Sequence, residues 1–245
     1  MAKGGIGAAQ DSPRALGRVP SEGHRVPMSL VLFESALSPL LAAGAAGYLL
    51  GSIPFGLLLA RVLKGIDVRD VGSGNIGATN TMRALGKGWG VVAFALDFLK
   101  GWFPVYVLAP LIAGDGDVEL ARLVAGSAAV LGHCFPLYLR FKGGKGVSTG
   151  CGAIVAVDPL VFILGGAVWV LMLPTSRMVS LASIAMGLAF PVVAWVRHPE
   201  DGPFIIGCAL LALLVVVRHR TNIARILAGT ESRIGRKETS KQSNG

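Results

Sequence analysis

The sequence predicts an all-α fold, a polytopic membrane bundle of about seven transmembrane helices, some of them short or broken. Composition is the first reason: the 245 residues are 53% hydrophobic and 15% charged, with a mean hydropathy of +0.63. Soluble domains carry roughly 25% charged residues, so this balance argues against a water-soluble enzyme. The second reason is the recurrence of long apolar tracts separated by Gly-rich polar segments. The third is the charge pattern. Residues 61–87 and 140–146 each carry +3 and residues 218–245 carry +5, together more than the net +9 of the whole chain. Basic loops stay cytoplasmic. Cys134, Cys151 and Cys208 are odd in number and lack metal-ligand spacing, so they read as small buried hydrophobes. Coiled coil, zinc finger and secreted disulfide scaffold are excluded as well.

A span needs about 20 apolar residues to cross a hydrocarbon core of about 30 Å. Residues 1–30 hold Pro, Gly and Arg but no apolar run, which predicts a disordered extension rather than a signal peptide or a span. Residues 31–232 form the membrane-embedded domain, and 233–245 a disordered basic tail. The first span is expected from Ala36 to Ala60, the second from Gly90 to Ile112 and the third from Leu120 to Leu139. The acidic turn between the last two (Asp115, Asp117, Glu119) faces outward. From Val147 to Val217 the apolar tract breaks at Asp158-Pro159, at Pro174 to Arg177, and at Arg197 to Pro203. Three spans there would put the basic tail outside; four short ones keep both Arg177 and the tail inside. Phe204 to Val217 is short for a crossing and reads as a tilted or partial span. Seven crossings follow, with the N-terminus outside and the C-terminus inside. On this topology residues 63–87, 140–149 and 218–232 share the cytoplasmic face.

Those three stretches carry the candidate chemistry. Gly72-Ser73-Gly74-Asn75-Ile76-Gly77 matches G-x-G-x-x-G, but membrane spans flank it where a dinucleotide fold needs a strand and a βαβ unit. What remains is a loop whose glycines let amides converge on an anion, with Ser73 as a short donor and Arg83 as a fork for phosphate. In the second stretch, Gly143-Gly144-Lys145-Gly146 with Lys142 beside it is no Walker loop. Gly146 to Gly150 is formally G-x-S-x-G, without the strand that a nucleophile elbow around Ser148 requires. It reads as an anion nest at a helix start, with Lys142 and Lys145 as point charges. His133, in the apolar stretch before it, reads as a structural histidine. In the third stretch, if the helix continues past Val217, His219 and Asn222 share a face at i, i+3, while Arg218 and Arg225 lie elsewhere and meet lipid headgroups. Asp97 and Lys100, inside an apolar tract, read as a structural ion pair near the site. A cytoplasm-facing pocket rich in phosphate donors, without paired acids or a metal-ligand cluster, fits group transfer between phosphorylated molecules. A rival from another class is an organophosphate or anion transporter, since broken helices and basic loops also build transport sites.

In these motifs the chain resembles the bacterial acyl-phosphate:glycerol-3-phosphate acyltransferases. The resemblance runs from about Leu49 to Glu231 and rests on Gly51-Ser52-Ile53-Pro54-Phe55-Gly56, residues 72–83, Asp97-Phe98-Leu99-Lys100-Gly101, residues 132–150, Ser180-Leu181-Ala182-Ser183, and Arg218 to Glu231. It implies seven spans in the bacterial inner membrane, with the active site facing the cytoplasm. It implies transfer of a fatty acyl group from acyl phosphate to the 1-position of glycerol 3-phosphate, giving lysophosphatidic acid and phosphate. No metal, coenzyme A, acyl carrier protein or other cofactor is implied; membrane lipid surrounds the protein and nucleic acid is not a partner. Carried over by motif, Ser73, His219 and Asn222 are catalytic, orienting the hydroxyl and the carbonyl oxygen. Arg83, Lys142, Lys145 and the amides of Gly143, Gly144 and Gly146 hold phosphate groups. Either His219 or a substrate phosphate takes the proton.

Overall fold

A computed structural model describes the backbone of residues 28–235 and the side chains from Leu37 onward; the expected disorder of the N-terminal extension and of the tail lies almost wholly outside these residues. Among the described residues every regular element is helical. In order they are α1 (Met28–Gly51), α2 (Phe55–Lys64), a 3-10 turn (Val68–Asp70), α3 (Ala78–Leu85), α4 (Lys87–Phe103), a π-helical turn (Pro104–Leu108), α5 (Ala109–Ala113), α6 (Val118–Cys134), a 3-10 turn (Leu137–Leu139), α7 (Val147–Val157), α8 (Pro159–Ser176), α9 (Val179–Arg197), α10 (Gly202–Arg218) and α11 (Arg220–Leu227).

Five helical stretches are long and apolar enough to cross a bilayer, and α10 with α11, bent by 59° between them, makes a sixth. The four helices expected after residue 147 are all present, with ends at the expected Pro-bearing breaks. The first of them, α7, has 11 residues and rises about 16 Å, half a bilayer core, so seven is an approximate count. The first span stands as one crossing, Leu37–Lys64, but the helix within it is interrupted at Ser52-Ile53-Pro54, because Pro54 has no N–H to donate and disfavours helix in the residue before it. Pro104, by contrast, does not end its helix: a π turn absorbs it and the rod continues to Ala113.

The bundle packs small residues inside and large ones outside, as expected where lipid rather than water is the solvent. Ala43, Ala93, Ala121, Ala125, Ala129, Ala182 and Ala194 are buried, whereas Leu111, Leu171, Trp195 and Leu210 are exposed. Gly47 and Gly51 of α1 lie directly on the backbone of Ala125 and Ala129 in α6, and Gly101 of α4 lies on the Thr149 carbonyl of α7. The three cysteines are free and buried, as read from their surroundings.

The loops divide into two ends. At one, Asp158 caps α8 and also meets Arg197 (3.2 Å) and His198 (2.6 Å), tying the α7–α8 and α9–α10 junctions together. The acidic turn 114–117, which joins α5 to α6, is at this end by chain direction. At the other end residues 65–86, 135–146, Arg177 and 218–235 come together. There Ile234 N–H donates to the Arg177 carbonyl (2.8 Å), so Arg177 and the tail do share a side.

A cationic cleft as candidate active site

The first loop is organised by one buried side chain. The amide nitrogen of Asn80 donates to the carbonyls of Val68 (2.7 Å), Asn75 (2.9 Å) and Val71 (3.0 Å). Its oxygen accepts from the Ser73 N–H at 3.0 Å. Gly72 takes φ +56 with Arg83 and Asn80 lying against it, so a side chain there is excluded both by conformation and by space. Ser73 is thereby fixed by its backbone while its side chain stays exposed.

The second loop hangs on α6. The Gly144 N–H donates to the His133 carbonyl (3.0 Å), and Gly144 lies on the imidazole so closely that a Cβ would overlap Nε2. Arg140 and Phe141 both have positive φ, at 52° and 63°, and Gly146 opens α7 at φ 79°. Arg218 closes the loop from α10: Nη2 donates to Gly143 O (2.8 Å) and Nε to Gly144 O (2.9 Å).

The third segment is set by the bend after Arg218. The His219 imidazole is buried and its Nδ1 lies 2.8 Å from the Val215 carbonyl. A carbonyl only accepts, so Nδ1 carries the hydrogen and Nε2 of the neutral ring is left as an acceptor. Asn222 is buried and engaged on both sides, accepting from Lys145 Nζ through Oδ1 and donating to Glu231 Oε1 through Nδ2 (2.6 Å). Glu231 also accepts from Ser180 Oγ (2.6 Å) and Arg225 Nε (2.7 Å). Burial raises the pKa of this carboxyl, but those three bonds outweigh it and hold Glu231 below the ordinary carboxylate range.

These pieces enclose a cleft of about 170 Å³, lined by Ser73, Gly74 and Asn75 of the first loop, Lys145 of the second, and Arg218, Arg220, Thr221, Asn222 and Arg225 of the third. Four cations thus face one small space. Lys145 lies in a loop outside the spans. Its burial, helped by Arg225, Arg83 and Arg218 and opposed by Glu231, draws its ammonium from 10.5 down to about 8. A narrow apolar groove with room for only about 10 Å³ begins one residue on. Gly146, Val147, Gly150 and Cys151 face Ser183, Met186, Gly187 and Phe190 of α9 and Leu211 and Val215 of α10.

The structure therefore brings Ser73, Lys145 and Asn222 together, as the motifs suggest. His219 stands behind the cleft rather than in its lining. Arg83 is exposed over Gly72 and lies outside the lining, close enough to act on Lys145 through its charge. Lys142 is exposed and likewise outside the lining. Two expectations are corrected. The Gly144 amide is not free for phosphate, being bonded to His133. And Arg218 and Arg225 line the cleft instead of meeting lipid, because the helix turns at His219 and the wheel drawn through it does not apply. Asn222 lines the cleft while holding Lys145 and Glu231, with one amide hydrogen left over. Asn75, Asn80, Ser180 and Glu231 fall within the motifs read from the sequence but were given no site role there, and Arg218 was given one at the lipid surface.

Comparison with known proteins agrees with this geometry. Residues 41–229 match the family model described as glycerol-3-phosphate acyltransferase. Relatives of that name include one from Rhodospirillum rubrum, 46% identical over 210 residues and covering 83% of this chain and 96% of the relative. One from Dinoroseobacter shibae is 42% identical, covering 80% and 93%. Among solved structures, the glycerol 3-phosphate form of PlsY, an integral membrane glycerol 3-phosphate acyltransferase, is similar at a TM-score of 0.72 and 42% identity, covering 82% of this chain and 96% of that one. Its lysophosphatidic acid form is similar at a TM-score of 0.71. A multi-pass helical bundle with a phosphate-sized cationic cleft, matched over most of its length by these enzymes, belongs to the glycerol-3-phosphate acyltransferase family.

Proposed function

We propose that the protein transfers a fatty acyl group from acyl phosphate to the 1-hydroxyl of glycerol 3-phosphate, releasing lysophosphatidic acid and inorganic phosphate. The observation that carries this is the cationic cleft of about 170 Å³ at the loop end of the bundle: Lys145 lines it, and Gly146 beside it opens the apolar helix α7. The cleft suits the phosphate groups of both substrates, and the exposed apolar side chains of the bundle suit the chain that one of them carries.

An acyl phosphate is a mixed anhydride, activated before it arrives, so the protein needs neither a covalent nucleophile nor a strong base. The hydroxyl oxygen attacks the carbonyl carbon, the bond from that carbon to the phosphate oxygen breaks, and the hydroxyl proton passes to an acceptor. Placing the reactants and meeting developing negative charge are the main tasks. Lys145 and Arg218 are positioned for phosphate charge and Ser73 for the hydroxyl or carbonyl oxygen. The proton goes either to a substrate phosphate or to the unprotonated Nε2 of His219. The basic loop end, set against the acidic turn and Asp158 at the other, supports a cytoplasm-facing site in a bacterial inner membrane.

Protein in lipid vesicles, given glycerol 3-phosphate with acyl phosphate, acyl-CoA or acyl carrier protein, tests the reading. Phosphate release only with acyl phosphate, dependent on glycerol 3-phosphate and lost in Ser73→Ala, is the expected result. Flux of glycerol 3-phosphate into vesicles without turnover would replace the enzyme by a transporter. A pH profile adds a second check. The Lys145 cation is the form that binds phosphate, so kcat/KM for glycerol 3-phosphate should be full below about pH 8 and fall as the pH rises through it. Lys145→Arg, always protonated, should lose that limb whatever its amplitude.

A further inference from the structure

Asp97 and Lys100 of α4 are buried, at 2% and 5% exposure, and line neither the cleft nor the groove. An ion pair in a low-dielectric interior is costly, and apolar residues of equal volume are often as stable or more so. Stability therefore does not account for the pair, whereas its contacts point in two directions.

Lys100 Nζ lies 2.8 Å from Asp97 Oδ1 and donates to the Ile53 carbonyl at 2.7 Å, the break between α1 and α2. That break aims α2, whose Gly56 packs directly on the Ile76 carbonyl and the Thr81 hydroxyl, the base of the Ser73 loop. On the other side Asp97 Oδ1 lies 3.7 Å from His133 Nδ1, which has no hydrogen-bond partner among the described residues. His133 carries the Lys145 loop through the Gly144 N–H and the ring beneath Gly144. We infer that Asp97 is a positioning residue that, through Lys100 on one side and His133 on the other, sets the separation of the Ser73 and Lys145 loops across the cleft. The inference rests on the acyl-transfer reading for its kinetic consequence, though not for its geometry.

The double variant Asp97→Asn with Lys100→Met removes both charges and leaves none unpaired. It should melt at or above the wild-type temperature while its KM for glycerol 3-phosphate rises at least tenfold and kcat changes less. His133→Asn keeps a donor toward Asp97 but removes the ring atoms under Gly144, and should raise the same KM with the ion pair intact. Spin labels at Thr79→Cys and Tyr138→Cys, both exposed positions beside the two loops, read the separation without any turnover. Their distance distribution should shift or broaden in both variants. Wild-type KM in either folded variant, or an unchanged label distribution, overturns the proposal. Absence of turnover in the unsubstituted protein would instead count against the reaction, leaving the label distances to decide the positioning.

Discussion

Lys145→Ala should lower kcat/KM for acyl transfer by about a thousandfold, the loss typical of removing one preorganised donor from a site where charge develops. Three features make it the most costly side chain in the cleft to remove. It is the cation that the second loop brings into the cleft, its ammonium is bonded to Asn222, and it adjoins Gly146, which opens the apolar helix α7. Its absence also leaves Asn222 Oδ1 without a donor, loosening the chain Lys145–Asn222–Glu231 that fixes the third segment. The variant should still fold, because none of the helix crossings passes through Lys145. Phosphate release measures the first claim. The second is read by thermal unfolding with a thiol-reactive dye, since the only three cysteines are free and buried. Turnover within tenfold of the wild type would remove Lys145 from the site.

Gly101→Ala should do the opposite, destroying the bundle without touching the cleft. A Cβ on Gly101 would occupy the space of the Thr149 carbonyl oxygen, and Gly152 presses on the Phe98 carbonyl in the same way one turn on. Backbone cannot swing aside as a side chain does, so α4 and α7 must separate. Overpacking of this kind costs of order 3 kcal/mol, and in lipid no hydrophobic force draws the helices back together. The expected readout is a melting temperature lowered by many degrees or no folded protein at all. Gly166→Ala is the control: it also lies in an apolar helix, but no atom lies within 4 Å of its added methyl, so it should melt like the wild type. Equal melting of the two variants would mean that the α4–α7 contact is looser than described.

Much of this architecture was legible because membrane helices announce their ends. The breaks at Asp158-Pro159, at Pro174 to Arg177 and at Arg197 to Pro203, together with the charge rule applied to Arg177 and the basic tail, gave four helices after residue 147 where hydropathy alone gives a near-continuous tract. The break at Pro54 was equally visible in kind, yet apolar residues on both sides masked it. The bend at His219 had no such mark: no Gly or Pro stands there, and the turn is held by a local bond from the His219 ring to the Val215 carbonyl and by tertiary bonds from Arg218 to the Gly143 and Gly144 carbonyls. Placing Arg218 and Arg225 on a continued helix therefore sent them to the wrong surroundings. In the site, residue types within each loop were readable, but pairings such as Ser180 with Glu231, 51 residues apart, have no local signature.

The place of Lys145, beside the first residue of the apolar helix α7, carries a kinetic implication for the proposed reaction. Glycerol 3-phosphate dissolves in water and would reach the cleft from the aqueous phase, whereas a long-chain acyl phosphate partitions into the leaflet and would reach it from there. The rate should therefore track the donor's mole fraction within the bilayer, so diluting vesicles with buffer leaves it constant while diluting the donor with inert lipid slows it.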